Sequence, residues 1–138
     1  MSLNLDAVAD FKKGKWVDYD EDVSFLIRPL TQKIAKKLKT EYTNVKTAKG
    51  GKESIEITND ALYNSAVIDN IIGDWKGVVD NNNVPIKLLD DDGKPLANAK
   101  ELKVKLTDNF TALGLWILRR ANEIAEEIAT VDRDIEEN

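Results

Sequence analysis

The chain contains neither cysteine nor histidine among its 138 residues. Without cysteine it has no disulfide and no thiol chemistry, which suits a reducing compartment. Without histidine it lacks the commonest general base and the commonest metal ligand at neutral pH. Zinc sites and Ser-His or Cys-His catalysis are therefore excluded within this chain. We expect a protein that is not an enzyme and that needs no cofactor.

Long hydrophobic runs are also lacking. No apolar run approaches the roughly 20 residues of a membrane-spanning helix, and the N-terminus lacks the apolar core of a signal peptide. The sequence predicts no membrane partner and a protein that stays in the compartment where it is made. Hydrophobic residues make up 42% and charged residues 33%, which is typical of a globular protein. The length predicts a single domain over residues 1–138.

The formal charge of -5 argues against a nucleic-acid partner, because phosphate binding needs concentrated lysine and arginine. The charge is nevertheless uneven, because one helix and the loop after it carry a basic stretch. It comprises Lys33, Lys36, Lys37, Lys39, Lys46, Lys49 and Lys52. We interpret this stretch as a solvated surface. Residues 132–138 form a polar, acidic C-terminal end.

The strongest periodic pattern, in residues 110–135, predicts a long helix with Asp108 as its N-cap. Its apolar residues are three or four apart, with Gly114 in the one gap, and therefore share one side of the helix. This seam comprises Phe110, Ile117, Ala121, Ile124, Ile128, Val131 and Ile135. Such a seam packs on the core of its own domain or on a second chain.

The first half of this helix is apolar on its other side as well. Leu115, Trp116 and Arg119 lie there with Ala112. One interpretation is that the core contacts this half of the helix from both sides. The other is that Leu115, Trp116 and Arg119 are candidate partner-binding residues, because Trp and Arg are enriched at binding hot spots. The sequence leaves both interpretations open.

A β-hairpin is predicted near the N-terminus. Val23, Phe25 and Ile27 alternate with less apolar neighbours, and an acidic break at residues 20–22 separates them from residues 15–19. An isolated hairpin is only marginally stable in water. Residues 55–57 and residues 86–89 are the candidates for a third strand.

The rest of the chain predicts helices, a loop and no internal repeat. Thr31 is the expected N-cap of a first helix, and a second helix is expected to start near Thr58 or Asn59 and to reach Trp75. A short helix over residues 98–106 leads into the long one. Residues 44–53 contain two glycines and predict a mobile loop. The predicted fold class is α+β, a mostly helical single domain with a small N-terminal hairpin or three-stranded sheet packed on three or four helices.

The aspartates at residues 90–92 suggest a calcium loop, but the spacing does not fit. When Gly93 is aligned with the glycine of an EF-hand, Leu88 occupies the first ligand position and Ala99 the last. Neither can ligate through its side chain. We therefore predict a solvated turn and no metal site.

Four short segments occur in a characteristic order ahead of a helical C-terminal third. They are Gly14-Lys15-Trp16-Val17, Phe25-Leu26-Ile27-Arg28-Pro29-Leu30, Asp74-Trp75-Lys76-Gly77-Val78-Val79 and Val84-Pro85-Ile86. In these segments the chain resembles the tail assembly chaperones of long-tailed bacteriophages and prophages. It departs from them at residues 81–83, where three asparagines replace an acidic turn containing glycine. Asparagine tolerates the same left-handed backbone.

The resemblance implies a chaperone that binds the tape-measure protein before and during tail-tube polymerisation. It also implies the tail tube protein as a further partner, homo-oligomerisation, a location in the host bacterial cytoplasm and absence from the mature virion. A longer form made by frameshifting is common in the family. The alternatives are another phage structural or connector protein, and a small regulatory binding module that uses the basic stretch.

Overall fold

The computed structural model describes residues 12–47 and 54–137. Within these ranges the chain forms the mostly helical α+β domain that the sequence predicts. Its strands are β1 (Lys15–Asp18), β2 (Ser24–Ile27), β3 (Thr43–Thr47), β4 (Ser54–Thr58) and β5 (Ile72–Lys76). Its helices are α1 (Gln32–Glu41), α2 (Asp60–Ile71), α3 (Ala99–Asn109) and α4 (Thr111–Glu137).

The predicted hairpin is confirmed as the antiparallel pair of β1 and β2, in which Val17 lies opposite Phe25. The carboxylate of Asp20 closes the acidic turn by accepting hydrogen bonds from the backbone N–H groups of Asp22, at 2.8 Å, and Val23, at 2.9 Å. An aspartate that bonds its own backbone in this way stabilises a turn locally. The acidic break therefore has a structural role as well as a charge.

The third strand is β5, so both sequence candidates for it are wrong. β5 pairs antiparallel with β2, with Phe25 opposite Trp75. Residues 55–57 lie in β4, which pairs only with β3. Residues 86–89 contribute no strand, only an isolated bridge between Leu89 and Pro95. The helix predicted to reach Trp75 ends at Ile71 instead.

Arg28 helps to end α2 at this point. Its backbone N–H donates to the carbonyl of Ile71 at 2.7 Å, and its guanidinium donates to the carbonyl of Asn70 at 3.3 Å. The last carbonyls of a helix have no partner within it, and a cation there also interacts favourably with the helix dipole. Because Arg28 directly follows β2, the residue that caps α2 also aligns the sheet with it.

Lys103 of α3 binds the same helix end. Its Nζ donates to the carbonyl of Asp69 at 3.0 Å and to the Asp69 carboxylate at 3.1 Å. The lysine is buried, and burial of a charge is tolerated when it is paired and hydrogen-bonded. This contact fixes α3 against the end of α2.

The long helix contributes the predicted seam to the core. Its buried side chains include Ile117, Ala121, Ile124 and Ile128. Ile117, Ala121 and Ile124 pack with Phe25, Ile27 and other residues of the sheet and of α2 in one cluster. Val131 and Ile135 lie in the helix, but their side chains fall outside the described part of the structure.

The predicted start of this helix is wrong. Asp108 belongs to α3, and α4 begins at Thr111. Phe110 separates the two helices, donating its N–H to the Leu106 carbonyl and accepting from the N–H of Gly114. Its side chain is 59% exposed rather than part of the seam. The cause is that α3 extends to Asn109, so that the chain changes direction at Phe110.

The first part of the loop predicted over residues 44–53 is a strand instead. β3 occupies residues 43–47 and β4 begins at Ser54. Residues 48–53 lie outside the described residues, so the predicted mobility stays a prediction. The polar end at residues 132–138 continues α4 as far as Glu137.

Two successive turns between β5 and α3 have the same construction. Asp80 accepts hydrogen bonds through its carboxylate from the N–H groups of Asn82 and Val84. Ten residues later, Asp90 accepts from Asp92 and Lys94 in the same way. Both turns are exposed, each closed by an isolated bridge, Val79 with Pro85 and Leu89 with Pro95, and the aspartate cluster is a solvated turn as expected.

Candidate partner-binding surface

Trp116 lies at the boundary between the core and the surface. Its half-buried ring packs edge-on against Tyr19, with ring centroids 5.0 Å apart, and lies 6.4 Å from the ring of Phe25. Such aromatic contacts stabilise by about 0.5–1.5 kcal/mol beyond area burial. Trp116 therefore holds the first half of α4 against the hairpin, while part of its ring stays accessible.

Leu115 and Arg119 lie on the outside of the same helix. Leu115 is 60% exposed, and Arg119, one turn later, is also exposed. Residues four apart on a helix are neighbours on its surface, so these two side chains share one face. Together with the accessible part of Trp116 they form an exposed surface, which we call the Leu115 face.

An apolar pocket near this face was missed by the sequence analysis. It has a volume of about 260 Å³, and its lining includes Tyr19, Val79, Phe110 and Leu113. Tyr19 joins the pocket to the Leu115 face because its ring also contacts Trp116. The sequence contains only a weak signal for this pocket. Tyr19 and Val79 each directly precede an aspartate turn, and a large apolar side chain next to a solvated turn suggests an apolar contact there.

The described basic residues of α1 are on the surface. Lys33, Lys36, Lys37 and Lys39 are all exposed, as expected for a solvated helix face. The other three lysines of the basic stretch have no described side chains.

No site for a metal ion is evident in residues 12–47 and 54–137, since no group of three or more acidic side chains converges there. In the same ranges, no helix is long and apolar enough to cross a membrane.

The fold and its surface define a small α+β domain with exposed apolar side chains on a long helix and beside two acidic turns. The chain belongs to the YdaY prophage protein family, whose model matches residues 17–138. No match was found among curated proteins or among solved structures. Membership of this family establishes that the chain is a prophage protein. The resemblance found in the sequence had implied a prophage or bacteriophage protein and, more specifically, a tail assembly chaperone.

Proposed function

We propose that this prophage protein is a tail assembly chaperone that binds the tape-measure protein during tail assembly. The observation that carries the proposal is the Leu115 face, where an exposed leucine and an exposed arginine flank a partly accessible tryptophan. Those residues stand on a 27-residue helix, so their spacing is set before a partner arrives. A preorganised surface loses less conformational entropy on binding.

The chemistry of this face fits a helical client. An amphipathic helix can lay its apolar side along Leu115 and Trp116, while Arg119 binds a carboxylate or a carbonyl at the edge. Covering such apolar side chains would keep a long client helix from aggregating. The role is one of binding and not of catalysis, with no part for nucleic acid or membrane.

The wider proposal follows the resemblance of the sequence. The tail tube protein is a further candidate partner, and the chaperone acts as a homo-oligomer. It works in the host bacterial cytoplasm and is absent from the mature virion. The prophage family membership supports this setting, and the exposed Leu115 face supplies a surface for the contact.

We expect the double substitution Leu115→Ser and Arg119→Ala to weaken association with tape-measure segments by about 2 kcal/mol or more, the loss typical of a hot spot. The fold should survive, because both side chains are exposed. The measurement is titration calorimetry with purified segments of the tape-measure protein from the same prophage. Circular dichroism of the variant reports the fold.

Trp116→Ala should weaken the same association by about 2 kcal/mol, the threshold of a hot spot. It should also lower stability, because the ring contacts Tyr19 and Phe25. A matched control is Leu62→Ser, which removes an exposed leucine from α2 (50% exposed, against 60% for Leu115). Unchanged affinity in the folded double variant would rule out the Leu115 face, and an equal loss in Leu62→Ser would show non-specific adhesion.

A further inference from the structure

The apolar pocket beside the Leu115 face is assembled from segments far apart in the chain. Four segments contribute side chains or backbone to its lining. They are the hairpin (Tyr19, Val23 and Phe25), the segment after β5 (Gly77, Val78 and Val79), the end of α3 and the residue that follows it (Leu106 and Phe110), and α4 (Leu113). Its volume of about 260 Å³ is below the range of about 300–1,000 Å³ that is usual for small-molecule sites. The pocket therefore suits a single large side chain better than a cofactor.

Some residues that line this pocket are exposed to solvent, and others are buried in the core. Phe25 and Leu113 are buried beneath it, whereas Tyr19 and Val79 are each 44% exposed and Phe110 is the most exposed aromatic residue of the described chain. Solvated aromatic and aliphatic side chains that converge on one concavity mark a binding surface more often than scattered ones do. The pocket thus has the form of a receptor for an apolar anchor.

Two acidic turns are adjacent in the chain to residues that line the pocket. Residues 20–22, which are Asp-Glu-Asp, join the lining residues Tyr19 and Val23, and Asp80 directly follows Val79. Gly77 fixes the first turn in place, because its backbone lies against the backbone of Asp22. Four acidic residues from two turns are therefore next in the chain to residues that line the pocket.

Few cations offset these carboxylates. Among the described side chains, no lysine or arginine forms an ion pair with residues 20–22 or with Asp80. Lys76 is close in sequence, but its Nζ lies over the ring of Trp16, 4.4 Å from the centroid. Among the described cations, Lys105 lines the adjoining groove. Without an ion-pair partner on the described side chains, the two acidic turns leave the surroundings of the pocket with an excess of negative charge.

We propose that this pocket binds a basic amphipathic segment of a partner protein. One large apolar side chain of the segment enters the pocket between Tyr19, Val79 and Phe110, and lysine or arginine side chains flanking it bind the two acidic turns. The pocket is a second site, which adjoins the Leu115 face through Tyr19, and the proposal does not depend on which protein supplies the segment.

Charge argues against a second copy of this chain as the occupant. In a two-fold symmetric dimer built on this pocket, the same patch faces itself, so that the acidic turns of both copies meet. Like charges opposed across an interface are unfavourable. A basic segment relieves the same field, and its attraction should weaken as salt is added.

The test uses two synthetic helical peptides with the same leucine positions and no tryptophan. One carries lysine and the other glutamate at its polar positions. We expect the lysine peptide to bind at least about 10-fold more tightly at low salt, with the difference shrinking at high salt. Backbone amide NMR shifts of the full chain should map its contact to Tyr19, Val79 and Phe110.

Two triple variants, which change the net charge equally, separate local from overall electrostatics. Glu21→Gln, Asp22→Asn and Asp80→Asn remove charge beside the pocket, and asparagine at position 80 keeps an oxygen that can accept the hydrogen bonds of the turn. Asp90→Asn, Asp91→Asn and Asp92→Asn make the same change in the twin turn. The first set should weaken binding of the lysine peptide by about 10-fold and the second by less than about twofold.

The apolar part of the site has its own variant. Phe110→Ser should weaken the binding of both peptides, whereas Leu62→Ser should change the binding of neither. Equal effects of the two triple variants, equal affinity for the two peptides, or NMR shifts confined to another face would each overturn the proposal. So would sedimentation showing a dimer that Phe110→Ser dissociates, since a second copy would then occupy the pocket.

The peptide test of the pocket and the tape-measure test of the Leu115 face can fail independently of each other. If tape-measure segments bind the Leu115 face and neither peptide binds the pocket, this inference fails and the chaperone proposal stands. If the lysine peptide binds the pocket and no tape-measure segment binds the chain, the chaperone proposal fails and this inference stands.

Discussion

Replacement of Trp75 by alanine should lower the free energy of unfolding by about 3–5 kcal/mol, the usual cost of removing a buried tryptophan. The ring is 6% exposed, stands edge-on to Phe25 and donates from its indole Nε1 to the carbonyl of Ile86 at 2.8 Å. It thus joins β5 to β2 and to the segment that precedes α3. Chemical denaturation followed by circular dichroism measures the loss.

Trp75→Phe is the matched control for the hydrogen bond. It keeps most of the apolar volume but leaves the Ile86 carbonyl without its donor, so the expected loss is smaller, about 1–3 kcal/mol. A Trp75→Ala protein that unfolds at the same denaturant concentration as the parent would show that the ring is not part of the core.

Replacement of Gly77 by alanine should cost about 3 kcal/mol or more in unfolding free energy, for two reasons that add. Gly77 has a φ of +88°, a conformation that costs other residues about 1–3 kcal/mol. A Cβ there would also overlap the backbone carbonyl oxygen of Asp22. Backbone atoms cannot swing aside as a flexible side chain can, so the hairpin turn would have to move.

Gly93→Ala separates the two causes. Gly93 has a similar φ of +78°, but a Cβ there would meet no heavy atom within 4 Å. We therefore expect only the conformational cost, about 1–2 kcal/mol. Equal losses at the two glycines, measured by the same denaturation experiment, would contradict the close approach of residue 77 to the acidic turn.

Elements with local signals were predictable from the sequence. The alternation of Val23, Phe25 and Ile27 beside an acidic break was enough to place the hairpin, because both the period and the turn chemistry are local. Thr31 was correctly predicted as an N-cap, and its hydroxyl accepts from the N–H of Ile34 at 3.2 Å. The seam from Ile117 to Ile128 also follows directly from helical spacing.

The switch from α2 to β5 was not predictable in the same way. Ile68, Ile71, Ile72 and Trp75 have helical spacing, so the pattern continues smoothly past the real end of the helix. That end depends on Arg28 and Lys103, which are distant in sequence. β5 forms because β2 pairs with it and because remote residues end the helix before it. Such long-range causes leave no periodic signal in the local sequence.

The candidate site was predictable only in part. The exposure of Leu115 and Arg119 agrees with the side of the helix on which the sequence placed them, and Trp116 proved to be shared between core and surface. The pocket could not be foreseen because its four segments meet only after the domain folds. Phe110 was assigned to the seam, since nothing local marks the boundary between α3 and α4.

The most direct test of the chaperone proposal is light scattering of the tape-measure protein from the same prophage, released from denaturant with and without this chain. The proposal predicts that an equimolar amount of the chain suppresses aggregation, and that the Leu115→Ser, Arg119→Ala variant suppresses it much less. Aggregation that proceeds as fast with the wild-type chain as with an unrelated acidic protein of the same size would contradict it.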